Sequence, residues 1–164
     1  MRNNQGITLV ELIIVMAIIG VISAGSFISA NMLGLGTAKS TVRRIASMLD
    51  SVQIENMTKS KSTDLIISED GGSYYLTIKS GTLELGREKL KLVKGQITYT
   101  RNDGTTWLIS AGPEPVTAEL CFRKDTGGFA PNSKGEIIRR IEVSSAGSTY
   151  AIHLVEATGK YYIE

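Results

Sequence analysis

Apolar and polar residues divide the chain into an apolar N-terminal stretch, an amphipathic segment and a long remainder in which apolar residues alternate with polar ones. No residue is charged from position 12 to position 38, and residues 12–22 are almost all Leu, Ile, Val and Met. About 20 apolar residues are enough for a helix to cross the ~30 Å hydrocarbon core of a bilayer. We therefore predict a transmembrane helix over residues 7–30.

Apolar residues with helical spacing continue beyond this span. They recur at intervals of three and four residues and form one stripe, made of Ala38, Val42, Ile45, Leu49 and Val52. The polar residues between them are expected to face water: Lys39, Arg43, Arg44, Ser47, Asp50 and Ser51. We predict that residues 31–60 continue the helix and pack the stripe on a globular head. A helix from residue 7 to about residue 59 is ~80 Å long.

From residue 64 the period of the apolar pattern changes to two, and turn residues recur at short intervals. This pattern is typical of antiparallel strands joined by hairpins. The predicted strands are 64–68, 74–79, 82–85, 89–93, 96–101, 106–110, 118–123, 137–144, 149–155 and 160–164. The predicted turns lie at 70–72, 80–81, 102–104 and 157–159, and the longest predicted loop is 124–134. The fold class is therefore α+β, with the long N-terminal helix packed on an antiparallel β-sheet head over residues 61–164.

Glu11 is the one charged residue within the predicted span. A charged side chain at this depth costs ~2.5–3.5 kcal/mol on insertion scales unless it has a partner. Two interpretations follow: Glu11 extends to the membrane surface from a position near the start of the helix, or it meets a positive charge in an assembly.

A cleavable signal peptide is the alternative interpretation of residues 1–30, with cleavage after a small residue near positions 23–25 or 28–30. Two features argue against it. The region before the apolar run carries only Arg2 and the amino terminus as positive charges. Glu11 would also lie inside the hydrophobic region of the signal, where a charge weakens its function.

The run GITLVELIIVMAIIG at residues 6–20 closely resembles the N-terminus of type IV prepilins and type II secretion pseudopilins. The resemblance implies a leader peptide of residues 1–6, cleavage by a prepilin peptidase between Gly6 and Ile7, and methylation of the new amino terminus on Ile7. Glu11 occupies the place of the glutamate that is the fifth residue of the mature family members. Many of those members begin with Phe where this chain has Ile7.

Helix geometry agrees with the role that the resemblance implies for Glu11. Ile7 and Glu11 are four residues apart and so lie on one face of a helix. Cleavage would leave a positive amine on Ile7, and in a filament the Glu11 carboxylate of one subunit would meet the amine of its neighbour. Assembly would then replace an unpaired charge by a paired one, so we predict that Glu11 acts in assembly.

The C-terminal part of the chain narrows the resemblance. A segment with Phe129 that ends at Gly135 precedes a strand pair, and the last turn, residues 157–160, is Ala-Thr-Gly-Lys. This arrangement resembles the heads of H-type minor pseudopilins and of the related fimbrial T-type minor pilins. It implies a pilin fold and the status of a minor subunit.

Composition restricts the chemistry of the head. The net charge is +2, from 18 basic and 16 acidic residues, so the overall balance indicates neither nucleic acid nor an anionic surface as a partner. Cys121 is the single cysteine, which excludes an intrachain disulfide and a cysteine-rich zinc site, and we interpret it as a small core residue.

His153 is the single histidine and alternates with apolar residues on a strand, which favours a packed or surface role over a catalytic one.

We predict no enzymatic activity, no cofactor and no metal site. The segments Asp-Gly at 103–104 and Asp-Thr-Gly-Gly at 125–128 lack enough carboxylates at ligand spacing for calcium, so we interpret them as turns. The aromatic residues of the strands are expected to form core and cross-strand pairs: Trp107, Tyr74, Tyr75, Tyr99, Tyr150, Tyr161 and Tyr162.

Six basic residues concentrate near the C-terminal loop and hairpin: Arg123, Lys124, Lys134, Arg139, Arg140 and Lys160. Because related minor pilins bind DNA during natural transformation, a DNA-binding minor pilin of a DNA-uptake pilus is the alternative function. Four glutamates dilute this charge and favour a mixed-charge surface: Glu136, Glu142, Glu156 and Glu164. A second alternative is a membrane-anchored binding module that is neither processed nor assembled.

The sequence as a whole predicts a structural minor pilin or pseudopilin of a type IV pilus or a type II secretion pseudopilus. The expected partners are a prepilin peptidase, other pilin subunits and the inner assembly platform. The expected location is the bacterial inner membrane, with a single pass, and afterwards the pilus or pseudopilus with the head outside the cytoplasm.

Overall fold

The computed structural model describes residues 9–59 and 61–164, and within the N-terminal helix it describes the side chains of residues 10 and 12–18 and those from 38 onward. Helix α1 runs without interruption over Leu9–Thr58, 50 residues. The predicted end near residue 59 is confirmed. Among the residues that the structure describes, no helix is both long and apolar enough to cross a bilayer. Much of the predicted span, residues 7–30, lies outside the described side chains.

The rest of the described chain forms ten strands. They are β1 (Asp64–Asp70), β2 (Ser73–Ser80), β3 (Leu83–Lys89), β4 (Gly95–Arg101), β5 (Thr106–Leu108), β6 (Ala118–Phe122), β7 (Phe129–Ala130), β8 (Ile138–Ser145), β9 (Ser148–Leu154) and β10 (Tyr161–Ile163). All of the described pairings are antiparallel. The predicted α+β class, one helix with antiparallel strands, is therefore confirmed and fits a pilin-like fold.

The strands form two five-stranded sheets, where the sequence pattern predicted one. The order is β3-β2-β1-β6-β7 in the first sheet and β10-β9-β8-β4-β5 in the second. The hairpins join strands that are neighbours in sequence, but β1 pairs with β6 and β4 pairs with β8 across long connections.

The predicted strand at 89–93 was wrong. The preceding strand, predicted at 82–85, does not end there, because Gly86 lies opposite Ile78 inside β3 beside a bulge, and β3 continues to Lys89. The chain leaves the sheet after Lys89. A second difference is β7, which lies within the predicted loop 124–134 and pairs with β6 through Cys121 and Phe122.

The apolar stripe of α1 forms the centre of the core. Its five residues are each at most 1 % exposed, and the six polar residues between them are all exposed. The stripe packs mainly against β8 and β9 and also against β1. Burying an aliphatic side chain stabilises the fold by ~1.5–3 kcal/mol, so this stripe attaches the helix firmly to the head.

Trp107, opposite Tyr99, and Tyr162, opposite His153, form cross-strand pairs as predicted, but neither ring lies in the core. Tyr74 and Tyr99 are buried as expected, but Trp107 is 42 % exposed and Tyr162 is 58 % exposed. The Arg101 guanidinium lies 4.5 Å from the ring centre of Trp107. Both exposed residues lie in three-residue strands, β5 and β10, at the two edges of the second sheet, so each has a neighbouring strand on one side only.

Candidate functional site

The predicted processing site lies at the N-terminus. Gly6 and Ile7 are outside the described residues, as is the side chain of Glu11, whose backbone belongs to α1. The predicted cleavage, methylation and assembly roles therefore stay predictions.

The described side chains in the first turns of α1, those of residues 10 and 12–18, are all apolar. Seven large side chains in this segment are each between 52 and 66 % exposed: Val10, Leu12, Ile13, Ile14, Val15, Met16 and Ile18. An α-helix has 3.6 residues per turn, so residues 12–16 cover every side of it. Apolar area gains ~25 cal/mol per Å² on removal from water. This segment therefore needs an apolar environment that the described part of the chain does not supply.

Asn56 fastens the C-terminal end of α1 to the start of β1. Its buried side chain donates from Nδ2 to the carbonyl oxygens of Val52, at 3.0 Å, and Thr63, at 2.5 Å. The backbone N–H of Thr63 donates to Asn56 Oδ1 at 3.0 Å. These hydrogen bonds satisfy the buried backbone groups of Thr63 and fix the direction in which the chain leaves the helix.

Gln53 ties the same end of α1 to two loops. Its Nε2 donates to the carbonyl oxygen of Gly127 at 2.7 Å, in the loop between β6 and β7, and lies 3.4 Å from that of Thr158, in the turn between β9 and β10. The two loops touch at Gly159, which has a φ of +66° and where a Cβ would overlap the Gly127 carbonyl. The contact therefore requires a glycine.

Tyr161 attaches the last strand to the helix. Its hydroxyl donates to the Asp50 carboxylate at 2.8 Å. Burial, and then this hydrogen bond, raise the pKa of Tyr161 to about 12. The C-terminal strand is thus held by α1 as well as by β9.

Sequence reasoning missed these three polar attachments. One signal was present, because Asn56 falls four residues after Val52 and so occupies the next position of the apolar stripe. A polar residue at a core position usually has hydrogen-bond partners. Gln53 and Asp50 gave no such signal, since their partners are more than 70 residues away in sequence.

The six basic residues predicted as a possible DNA contact do not form one continuous face. Arg139 and Arg140 are in ion pairs, with Glu156 at 3.8 Å and Glu142 at 2.7 Å. The structure brings three together in the two touching loops, Arg123, Lys124 and Lys160, and all three are exposed. Lys134 lies in the separate turn before β8, so the surface has mixed charge, and DNA binding there stays a prediction.

Cys121 lies half-buried beside two carboxylates, not in the core as predicted. Its sulfur and the carboxylate oxygens of Asp64 and Glu119 all lie within 4.8 Å of one another, and all three are metal-ligand types. Glu119 already accepts hydrogen bonds from the backbone and hydroxyl of Ser133, at 3.1 and 2.6 Å. Burial, and then the nearby Asp64 charge, raise the pKa of the Cys121 thiol far above its usual value. Burial also raises the pKa of Asp64. The arrangement favours a protonated Cys121 thiol that is hydrogen-bonded to the Asp64 carboxylate.

We expect this thiol to be unreactive in the folded protein. Only the thiolate attacks disulfide reagents, so at pH 8 the native chain should react at least about ten-fold more slowly than the urea-unfolded chain. Cys121 is the single cysteine, so a colorimetric thiol assay reports on it alone. Asp64→Asn removes one of the charges that disfavour the thiolate and should speed the native reaction. Equal rates for folded and unfolded chains would show that the thiol is ionised and accessible.

His153 is placed as the sequence indicated, in a packed surface position. Its ring stacks on Tyr162 with centroids 4.6 Å apart, and its Nε2 lies 2.9 Å from a Glu164 carboxylate oxygen. Both contacts hold β10 against β9.

One known family motif matches the N-terminal part of the chain. Residues 1–27 match the prokaryotic N-terminal methylation motif. A search of curated proteins and a search of solved structures found no significant match. The motif supports a precursor of the type IV pilin and pseudopilin family that is processed by a peptidase and assembles with other pilins.

Proposed function

We propose that this chain is a structural minor pilin or pseudopilin. It is made as a single-pass precursor in the bacterial inner membrane, cut by a prepilin peptidase between Gly6 and Ile7, and methylated on Ile7. It then enters a type IV pilus or a type II secretion pseudopilus through its N-terminal helix, with the head outside the cytoplasm.

One observation carries this proposal beyond the motif. The described side chains of residues 10 and 12–18 are apolar and exposed on all sides, whereas the same helix is firmly packed from Ala38 onward. A helix that is apolar all round is stable only when other apolar groups surround it. Lipid supplies such groups before assembly, and the helices of neighbouring subunits supply them in a filament.

The Glu11 carboxylate makes the filament more favourable than the free subunit in lipid. In lipid it is an isolated charge, and in the filament it pairs with the methylated amine of Ile7 of a neighbouring subunit. The contact joins different surfaces of the two copies, and such a contact builds an open helical polymer instead of a closed dimer. The proposed pairing therefore favours a filament over a free membrane protein.

Replacing Glu11 by valine tests the proposal. Glu11→Val should insert in the membrane at least as well as the native chain, because it removes a charge from the apolar segment. Its amount in sheared filaments should fall about a hundred-fold, the factor that corresponds to losing ~2.5–3.5 kcal/mol of charge pairing. Both amounts are measured by quantitative immunoblotting of membrane and filament fractions.

Val15→Leu is the matched control, since it exchanges one apolar residue for another one turn along the same helix. It should assemble normally. Normal incorporation of Glu11→Val would contradict the assembly role, and absence of the native chain from filaments would favour the unprocessed membrane-anchored module.

A further inference from the structure

The end of the head at which α1 enters it carries a basic surface, although the chain as a whole is nearly neutral. Two cations lie on the helix there, Lys39 and Arg43, and two more follow at the end of β3, Lys89 and Lys91. The structure places them together, since the Thr41 hydroxyl donates to the carbonyl oxygen of Lys91 at 3.4 Å.

A cavity of about 220 Å³ lies between the helix and the end of β3. Its walls are formed by hydroxyl, basic and apolar groups of Ser40, Thr41, Arg44, Glu88, Lys89, Leu90 and Lys91. Glu88, the one carboxylate in these walls, is paired with Arg44. The charges of Lys89 and Lys91 therefore remain uncompensated within the cavity.

The neighbouring acidic groups are also engaged. Asp70 is paired with Arg87 at 2.9 Å, and Glu69 accepts hydrogen bonds from the backbone N–H groups of Gly72 and Ala111. Over residues 9–59 and 61–164, none of Lys39, Arg43, Lys89 and Lys91 takes part in an ion pair. This surface thus presents a cluster of positive charge that is suited to phosphate.

The distance of this cluster from the apolar run of α1 favours lipid headgroups as the phosphate groups that it would bind. Ala38 is the first described residue of α1 that the head buries, and the apolar run ends at Ala30. Ser40 is therefore about 15 Å along the helix from that run. Headgroups extend ~6 Å beyond the hydrocarbon and a Debye length is ~8–10 Å, so these cations lie within electrostatic reach of the headgroups.

We propose that this basic end of the head docks on anionic phospholipid headgroups while the subunit waits in the membrane for assembly. The inference rests on the proposed membrane-anchored precursor. Each lysine near an anionic surface contributes to binding, and the contribution falls with salt. Docking holds the head against the bilayer, and the head leaves the lipid when the helix is drawn into the filament.

Lysine acetylation of the full chain in vesicles tests the docking, with mass spectrometry to read each site. We compare phosphatidylcholine vesicles with vesicles that also contain phosphatidylglycerol. Lys89 and Lys91 should be acetylated about five-fold more slowly in the anionic vesicles at low salt, and the difference should disappear at high salt. Lys61 is an internal control, because it lies beyond the C-terminal end of α1, some 27 Å farther from the bilayer, and should not change.

A double variant shows whether these two lysines carry the docking. Lys89→Glu with Lys91→Glu should abolish the protection of Lys39, whereas Lys59→Glu with Lys61→Glu should leave it intact. Equal acetylation of Lys89 in neutral and anionic vesicles would overturn the inference. Equal protection by duplex DNA added to neutral vesicles would assign the cluster to nucleic acid instead and overturn it as well.

Alkaline carbonate extraction separates this inference from the proposed function. A chain that stays in the vesicles but shows no lysine protection contradicts the docking alone. A chain that carbonate releases contradicts the membrane-anchored precursor, and the docking with it.

Discussion

Gly159→Ala is expected to lower the free energy of unfolding of the head by about 3 kcal/mol or more. The φ of +66° at this position is costly for any residue with a Cβ, and the new methyl group would overlap the backbone carbonyl of Gly127. Backbone cannot move aside as the end of a flexible side chain can. The two loops must therefore separate, and Gln53 loses its hydrogen bond to Gly127.

Gly81→Ala is the matched control for this prediction. Gly81 has a φ of +60°, close to that of Gly159, but a Cβ there has nothing within 4 Å. Its substitution should cost only the conformational term, about 1 kcal/mol. Urea unfolding of the full chain in detergent micelles, followed by circular dichroism, measures both. Equal losses for the two variants would show that the contact between the loops contributes nothing.

Asn56→Asp is expected to cost about 3 kcal/mol at neutral pH. The new side chain has nearly the same shape and still accepts from the Thr63 N–H, but it has no proton for the carbonyls of Val52 and Thr63. The Thr63 carbonyl then loses this donor, and a negative charge is placed in a buried site at the negative end of a helix.

The pH dependence of this variant gives a second readout. Burial raises the folded-state pKa of the introduced carboxyl above its unfolded value, so the folded state binds its proton more tightly. The variant should therefore regain stability relative to the native chain as pH falls through that raised pKa. Asn102→Asp makes the same change in an exposed turn and should alter stability by less than about 0.5 kcal/mol. A similar small change at Asn56 would contradict its role as the attachment between helix and sheet.

The elements that the sequence predicted well are those set by local periodicity. The stripe from Ala38 to Val52 gave the buried face of α1, because a period of 3.6 places those residues on one side of a helix. Turn residues at 70–72, 80–81 and 157–159 gave three hairpins with their strands in the correct order. The predicted strand 82–85 was too short and the predicted strand 89–93 was wrong, because a glycine can lie inside a bulged strand as well as in a turn.

The division into two sheets and the basic end of the head could not be predicted in this way. The pairings of β1 with β6 and β4 with β8 join residues at least 37 positions apart, and nothing local specifies them. The basic cluster could not be predicted for the same reason. Lys39 and Arg43 are about 50 residues away from Lys89 and Lys91 in sequence, and the net charge of +2 does not show where the charges lie. The fold brings these residues together where α1 enters the head.

The processing site depends on the sequence motif alone, so its direct test is chemical. The mass of the chain is measured after purification from the membranes of cells that contain a prepilin peptidase, and its N-terminal peptide is sequenced by mass spectrometry. We expect a chain that begins at Ile7 and carries one methyl group on its amino terminus. A chain that still begins at Met1, or one cut at a small residue near positions 23–30, would contradict the assignment as a pilin or pseudopilin precursor.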